Sequence, residues 1–410
     1  MDRIILHSDL NGFYASVECL YHPELRAVPV AVCGSTEQRR GIVLAKNELA
    51  KKYGLVTGEA VWQARRRCPQ LVTVEPHFEI YMGISRQVRE IYETFSDRVE
   101  SFGLDECWLD VTGSTLLFGD GECIAQRVRE TVKKEVGITV SVGVSWNKVF
   151  AKLGSDLKKP DAVTVIGRAD YRRKVWPLAA SALLYVGRST GRELGRFGIR
   201  TIGDLACARP EFLSQRLGKC GETLWAFANG YDLSPVSAAG AMRTIKSIGN
   251  SMTTPRDIEN EEEAWRVITA LSESVAQRLR ENGLRCVTVQ LSLRDTELVW
   301  REHQAKLATP CCTTDELAAK SMELLRESYD FRRPLRSLGV RACSLSDASS
   351  GVQLAFFDDT VKRERHEALE RSVDGIRKKY GRLAVQRAVL LHDDLTHEGA
   401  PAIHLCSPTA

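Results

Sequence analysis

Two adjacent carboxylates set inside an apolar run constrain this chain more than any other feature. Residues 102–112 read FGLDECWLDVT, with Asp105 and Glu106 flanked by Leu104, Cys107, Trp108, Leu109 and Val111. Charged side chains are rarely buried unless they are paired or bound to a metal. Taken alone, such a pair reads most simply as a solvated hairpin turn. Neighbours in a regular strand point to opposite faces, so both carboxylates address one point only if the backbone bends, and Gly103 just upstream allows that. Asp9 has a similar setting, at the end of the apolar strand IILHS and just before LNGFYAS. If the two strands are neighbours in one sheet, Asp9, Asp105 and Glu106 converge at its edge. Three carboxylates in one place call for divalent cations, and hard oxygen ligands suit Mg²⁺. Two such ions can clamp the attacking and leaving oxygens of an in-line phosphoryl transfer.

The chain's 410 residues exceed one ordinary core, so two to four domains are expected. Its 43% hydrophobic and 27% charged residues are those of a soluble globular protein. The N-terminal MDRIILHSDLNGFYAS does not read as a signal peptide, and no stretch has the length of a membrane span. The 12 cysteines show no recurring CxxC pair at zinc spacing, which predicts free thiols in a reducing cytosol and a cytoplasmic protein. A net charge of +4 permits nucleic-acid binding without requiring it.

The predicted elements alternate. Asn47 opens a short helix that Gly54 closes, and CIAQRVRETVKKEVG is an amphipathic helix ahead of the strand ITVSVGVS. In VSWNKVFAKLGSDLKKPDA the spacing predicts a helix capped by Asn147. Val149, Phe150, Leu153 and Leu157 form its apolar face, and Lys148, Lys152, Ser155 and Lys159 form a polar one. Such a lysine stripe is usually a solvated face, but directly after a strand flanking the carboxylates it is a candidate phosphate- or DNA-binding surface. Beyond VTVIG come short helices punctuated by Gly, and then LSPVSAAGAM, which reads as an interdomain linker. A βαββαβ pattern follows to about residue 346, and the tail holds one more helix, KRERHEALERSVDGIRKKYG.

HSDLNGFYASVE, SFGLDECWLD and GVSWNKVFAKLGSDLKKPDA, in this order and spacing, resemble the palm and fingers motifs of the Y-family DNA polymerases. These are the translesion enzymes of the polymerase IV (DinB/UmuC-like) group. The likeness spans about the first 345 residues and implies an α+β multidomain, right-hand-like fold. A ferredoxin-like palm would comprise 1–11 and 76–166, with small fingers at 12–75 and a helical thumb with a helix-hairpin-helix at 167–232. A linker (233–243), a βαββαβ little finger (244–346) and a tail (347–410) would follow. By the same resemblance Asp9, Asp105, Glu106 and the Leu10 carbonyl hold two Mg²⁺ ions. Phe13 and Tyr14 underlie the incoming dNTP, Tyr14 being the steric gate against a ribose 2′-hydroxyl. Lys159 meets the triphosphate.

The fingers depart from the family pattern. Many relatives read TANYxARKFG, whereas this chain reads LAKNELAKKYG: Ala45 replaces Thr, Glu48 replaces Tyr and Lys51 replaces Arg. Lys51 supplies charge without a bidentate fork, and Glu48 is expected to point away from phosphate. Asn11 stands where many relatives carry a second acid that is not a metal ligand.

For DNA, the resemblance singles out the hairpin turn at Gly187, with Ser189 in place of the usual second glycine. It also singles out Arg243, Lys246, Arg294, Arg336 and Arg341 of the little finger. In the tail, QLAFFDD resembles the bacterial sliding-clamp-binding peptide, with Gln353, Leu354, Phe356 and Phe357 as contacts. The implied protein is a monomeric polymerase of low fidelity and low processivity, acting on primed template DNA with no membrane partner. A noncatalytic DNA- and clamp-binding scaffold is the rival, and retention of all three carboxylates argues against it. A nucleotide cyclase or nuclease would have no use for Tyr14 or the clamp-like peptide.

Overall fold

The computed structural model describes residues 2–39, 41–241, 244–350, 360–391 and 394–396. The described residues form two compact units, one from residues 2–34 and 42–241 and the other from 35–39, 41, 244–350, 360–391 and 394–396.

The first unit opens with β1 (Ile5–Leu10) and α1 (Phe13–Tyr21). It continues through β2 (Val30–Cys33), β3 (Val43–Lys46), α2 (Glu48–Lys51), α3 (Val61–Arg67) and β4 (Val72–Val74). Then come α4 (Phe78–Glu93), β5 (Val99–Ser101), β6 (Glu106–Asp110), α5 (Thr115–Phe118) and α6 (Gly121–Glu135). After them lie β7 (Val140–Ser145), α7 (Lys148–Leu157) and β8 (Val163–Val165). Five short helices close the unit: α8 (Tyr171–Val175), α9 (Arg188–Arg196), α10 (Ile202–Cys207), α11 (Pro210–Leu217) and α12 (Lys219–Ala228).

All six residues of β1 are buried, which places it centrally in a five-stranded sheet of order β5-β6-β1-β7-β8. It runs antiparallel to β6 and β7, while β8 lies parallel to β7. Leu6 and Leu10 join Leu109 and Val142 beneath α4 and α6, whose Tyr81, Val88, Ile124 and Val128 complete that core. The odd residues of β1 face the other way, toward α7. Ile5 packs there with Trp108 and Ala151, and the Trp108 indole donates to the Lys148 carbonyl at 3.0 Å. This approach is close because Gly143 of β7 has no side chain: a Cβ there would stand 1.9 Å from the Ala151 carbonyl oxygen.

Asn147 caps α7, accepting from the Phe150 amide at 2.8 Å, as its sequence position predicts. Asn47 caps α2 in the same way, and Gly54 just beyond has φ 70°. β2, β3 and β4 form a small sheet of order β3-β2-β4 with its own core around Val43, Ala50, Val61 and Leu71. The stretch read as a linker is strapped along the large sheet. Val236 is buried, the Ala239 amide donates to the Asp97 carbonyl at 2.8 Å, and Ser237 donates from its amide to Glu100 at 2.9 Å.

The second unit has the expected βαββαβ order. It runs β9 (Ser247–Ile258), α13 (Glu261–Glu281), β10 (Leu284–Asp295), β11 (Trp300–Cys311), α14 (Thr314–Ser328) and β12 (Leu335–Asp347). The strands form an antiparallel sheet of order β11-β10-β12-β9. Val289, Leu291, Leu293, Leu338 and Val340 meet Val267, Leu271, Leu317 and Leu325 of the two helices.

The tail helix α15 (Thr360–Tyr380), whose role the sequence leaves open, packs onto this helical layer through charges. Arg280 bonds Asp374 at 2.7 Å and also pairs with Glu370. Arg377 meets Glu273 at 3.0 Å, and Arg387 meets Glu273 at 3.1 Å and Glu370 at 2.9 Å. Glu273 and Glu370 are buried, so removing one of these arginines would leave a buried group without its partner.

Candidate active site

Strand register brings the acidic residues together. Asp9 and Glu106 are direct antiparallel partners of β1 and β6, so they share a face of the sheet. Asp105 lies in the turn 102–105 that joins β5 to β6. That turn is closed by the Phe102 amide donating to the Glu106 carbonyl at 2.8 Å, and the Leu10 amide donates to the Asp105 carbonyl at 3.0 Å. Ser85 of α4 pins it with a bond to the Leu104 carbonyl at 2.5 Å. The bend required by adjacent carboxylates is therefore present, one residue before the strand begins.

Lysines neutralise two of the three acids. Lys159 Nζ lies 2.7 Å from Asp9 and 2.8 Å from Asp156, and Lys152 Nζ lies 2.7 Å from Glu106. His7, two residues before Asp9 and so on its face, places Nε2 3.4 Å from Glu106 and Nδ1 2.8 Å from Ser155 Oγ. Burial lifts Asp9 to about 7, outweighing Lys159, and the neighbouring Glu106 and Asp105 push the same way. Asp105 is also raised, by burial and then by Glu106. Burial acts on Glu106 too, but His7 and Lys152 outweigh it and hold that carboxyl at about 2. Burial keeps His7 low in pKa. As the side chains stand, no trio of acidic, His or Cys groups among the described residues is drawn into one ligand shell. Asp9 and Glu106 are each bridged by a lysine instead of by one another.

A cavity of about 380 Å³ opens beside these acids. Asp9, Leu10, Phe13, Tyr14, Asp105, Lys51 and Lys159 all line it, as do Ala45, Lys46 and Thr57. Phe13 is mostly core at 3% exposure. The half-buried Tyr14 stacks on Tyr81 with centroids 4.5 Å apart and planes 13° from parallel. The Tyr81 hydroxyl donates to Glu18, fixing the ring beneath Tyr14. Glu48 is exposed and turns to Lys51 at 2.5 Å, off the cavity wall. Asn11 is buried against Ser141 and Thr139.

The lysine stripe of α7 divides. Lys148, expected on the DNA-binding face, is buried, with Nζ 2.8 Å from Glu100, 3.3 Å from the Pro235 carbonyl and 4.7 Å from the Trp108 ring centroid. Its ammonium is engaged within the protein. Lys152 serves Glu106. Gly187 caps α9 with open space around it. In the second unit Arg294 and Arg341 lie on the helix-free side of the sheet, in register with Ser337 and Gln290. Arg294 stacks on Trp300 at 5.2 Å, and Arg341 is exposed. The exposed Lys246 directly precedes β9, and the half-buried Arg336 lies beside a bulge of β12. Arg243, Gln353, Leu354, Phe356 and Phe357 lie outside the described residues.

Sequence reasoning passed over His7, Lys46, Thr57, Glu18 and Tyr81. The two-residue spacing to Asp9 could have flagged His7. Nothing local could have flagged the others, which reach the site from separate elements.

The impB/mucB/samB family model matches residues 8–156, and the model of that family's C-terminal domain matches residues 245–356. DNA polymerase IV of Acetivibrio thermocellus is 55% identical over 393 residues, covering 96% of this chain and 98% of that protein. The chain belongs to the impB/mucB/samB family, the Y-family DNA polymerases of the polymerase IV group. DNA polymerase IV 2 of Bacillus subtilis is 35% identical, with 95% of both chains covered. The fold is that of a solved Y-family DNA polymerase chimera, Dbh-Dpo4(243-245)-Dbh, at TM-score 0.73 and 24% identity, covering 83% of this chain and 98% of that one. This Y-family member is thus a DNA-directed DNA polymerase of the translesion class. No helix among its described residues is long and apolar enough to cross a membrane.

Proposed function

We propose that the cavity beside Asp9 and Asp105 is the polymerase centre, where dNMP is added to a primer 3′ end. The observation that carries this reading is that Asp9 and Asp105 line one cavity with Lys46, Lys51 and Lys159, while Glu106 is the direct strand partner of Asp9. The donor set fits a hard divalent cation. Asp9, Asp105 and Glu106 offer carboxylate oxygens, Leu10 lines the same cavity, and burial, which raises the pKa of Asp9 and Asp105, would be offset by a bound cation. Asp9, Asp105, Glu106 and Leu10 would hold two Mg²⁺ ions. Bound there, Mg²⁺ supplies activation of the primer hydroxyl and neutralisation of the phosphates.

The chain's own residues do the rest. Tyr14, held flat by Tyr81, excludes the 2′-hydroxyl of a ribonucleotide. Lys159 and Lys51 neutralise phosphate charge. His7 and Lys152 keep Glu106 ionised and fix its direction. The ferredoxin-like sheet with α4, α6 and α7 serves as palm, the small β3-β2-β4 sheet as fingers and α8–α12 as thumb. The βαββαβ unit holds duplex backbone through Lys246, Arg294, Arg336 and Arg341 on and around its polar sheet face. QLAFFDD, by its sequence pattern, takes the sliding clamp.

The test is primer extension on a primed template with Mg²⁺ and four dNTPs. Wild type extends and Asp105→Ala does not, while both bind the template. Extension by Asp105→Ala at the wild-type rate would remove Asp105 from the centre. If neither extends yet both bind DNA, the scaffold reading replaces this one.

A further inference from the structure

The cavity has three lysines on its walls, and they are not equivalent. Lys159 is held by Asp9 and Asp156, and Lys51 is held by Glu48. Lys46 donates to the neutral Thr57 Oγ1 at 3.0 Å, and among the described residues no carboxylate pairs with it. A half-buried ammonium facing a cleft, with Glu48 acting on it only through space and no described carboxylate in contact, is an incomplete electrostatic arrangement.

Its position is tightly defined. Lys46 ends β3 in register with Ala31 of β2. The next residue, Asn47, donates from its side chain to the Val28 carbonyl at 2.8 Å and accepts from the Val30 amide at 3.1 Å. On the other side the Lys46 carbonyl lies 3.0 Å from where a Cβ on Gly12 would stand. Gly12, at φ 54°, thus lets the end of β3 abut the start of α1, directly beside Phe13 and Tyr14. Burial, and then the Lys51 charge, lower the Lys46 pKa, a strain that an arriving anion reverses.

We propose that Lys46, with Lys51, binds the triphosphate of the incoming dNTP from the fingers side, replacing contacts that Ala45 and Glu48 do not provide. This rests on the cavity being the polymerase centre. The ligand is a polyphosphate anion, and recognition is by charge rather than by base or sugar. Loss of Lys46 therefore weakens all four dNTPs alike.

The experiment is steady-state single-nucleotide incorporation by Lys46→Gln and Lys46→Arg. It is joined by inhibition with inorganic tripolyphosphate, which lacks base and sugar, and by a melting temperature for each variant. Lys46→Gln is expected to raise KM for every dNTP by about tenfold, the effect of one charge-assisted contact. The tripolyphosphate Ki should rise by the same factor, with affinity for primed DNA and melting temperature unchanged. Lys46→Arg should recover most of the loss. A KM within twofold of wild type for all four dNTPs overturns the proposal while leaving the active site intact. So does a raised KM with an unchanged tripolyphosphate Ki, which marks a merely structural role. Failure of the wild type to extend a primer overturns the active-site reading instead.

Discussion

The raised pKa of Asp9 predicts that the metal-free protein becomes less stable as pH rises through neutrality. The carboxyl ionises near its ordinary 3.8 when unfolded and near about 7 when folded. Between these values the folded state binds more protons than the unfolded one, so stability falls with pH across that window. From pH 6 to pH 8 the two-state expression gives a loss on the order of 1 kcal/mol from this one group. For a unit of this size that corresponds to about 3–6 °C in melting temperature. Asp105, also raised, adds in the same direction. Glu106 does not interfere, because its stabilising contribution is lost only as pH falls toward about 2. The assay is thermal melting in EDTA at pH 6, 7 and 8 for wild type and Asp9→Asn, whose side chain cannot ionise. The wild type should lose those degrees relative to the variant, and Mg²⁺ should restore more stability at pH 8 than at pH 6 because it binds the ionised acid. Parallel melting curves for the two proteins across this range would refute the claim that burial, rather than Lys159, dominates at Asp9.

Tyr14→Ala should raise the ratio of ribonucleotide to deoxyribonucleotide incorporation by about 10–200-fold, the range for one small group admitted to a pocket, as read by paired incorporation kinetics. Gly143→Ala puts a Cβ against the backbone at Ala151, Gly154 and Ser155. It should cost about 3 kcal/mol or more by overpacking, and α7, carrying Lys152, should shift. Melting temperature and extension rate should then fall together.

Much of the architecture was legible locally. Asn147 and Asn47 were readable as helix caps because a cap is a bond between a side chain and an amide three residues away. The βαββαβ unit was readable from its alternating periods. The acidic pair demanded a bend, and the bend is at 102–105.

What the sequence by itself determined is therefore the inventory: the acids at strand ends, Tyr14, the lysines and the order of elements. Tertiary structure alone decided what each charge answers to. Lys148 and Lys152 sit four residues apart on one helix, yet one is buried against Glu100 and the other bridges to Glu106, 46 residues away in the chain. Lys46 meets the cavity only because Gly12, 34 residues earlier, leaves room for β3. Electrostatic interactions act through space and depend on burial, so the partner of a charge is fixed by packing between distant segments rather than by its neighbours in sequence.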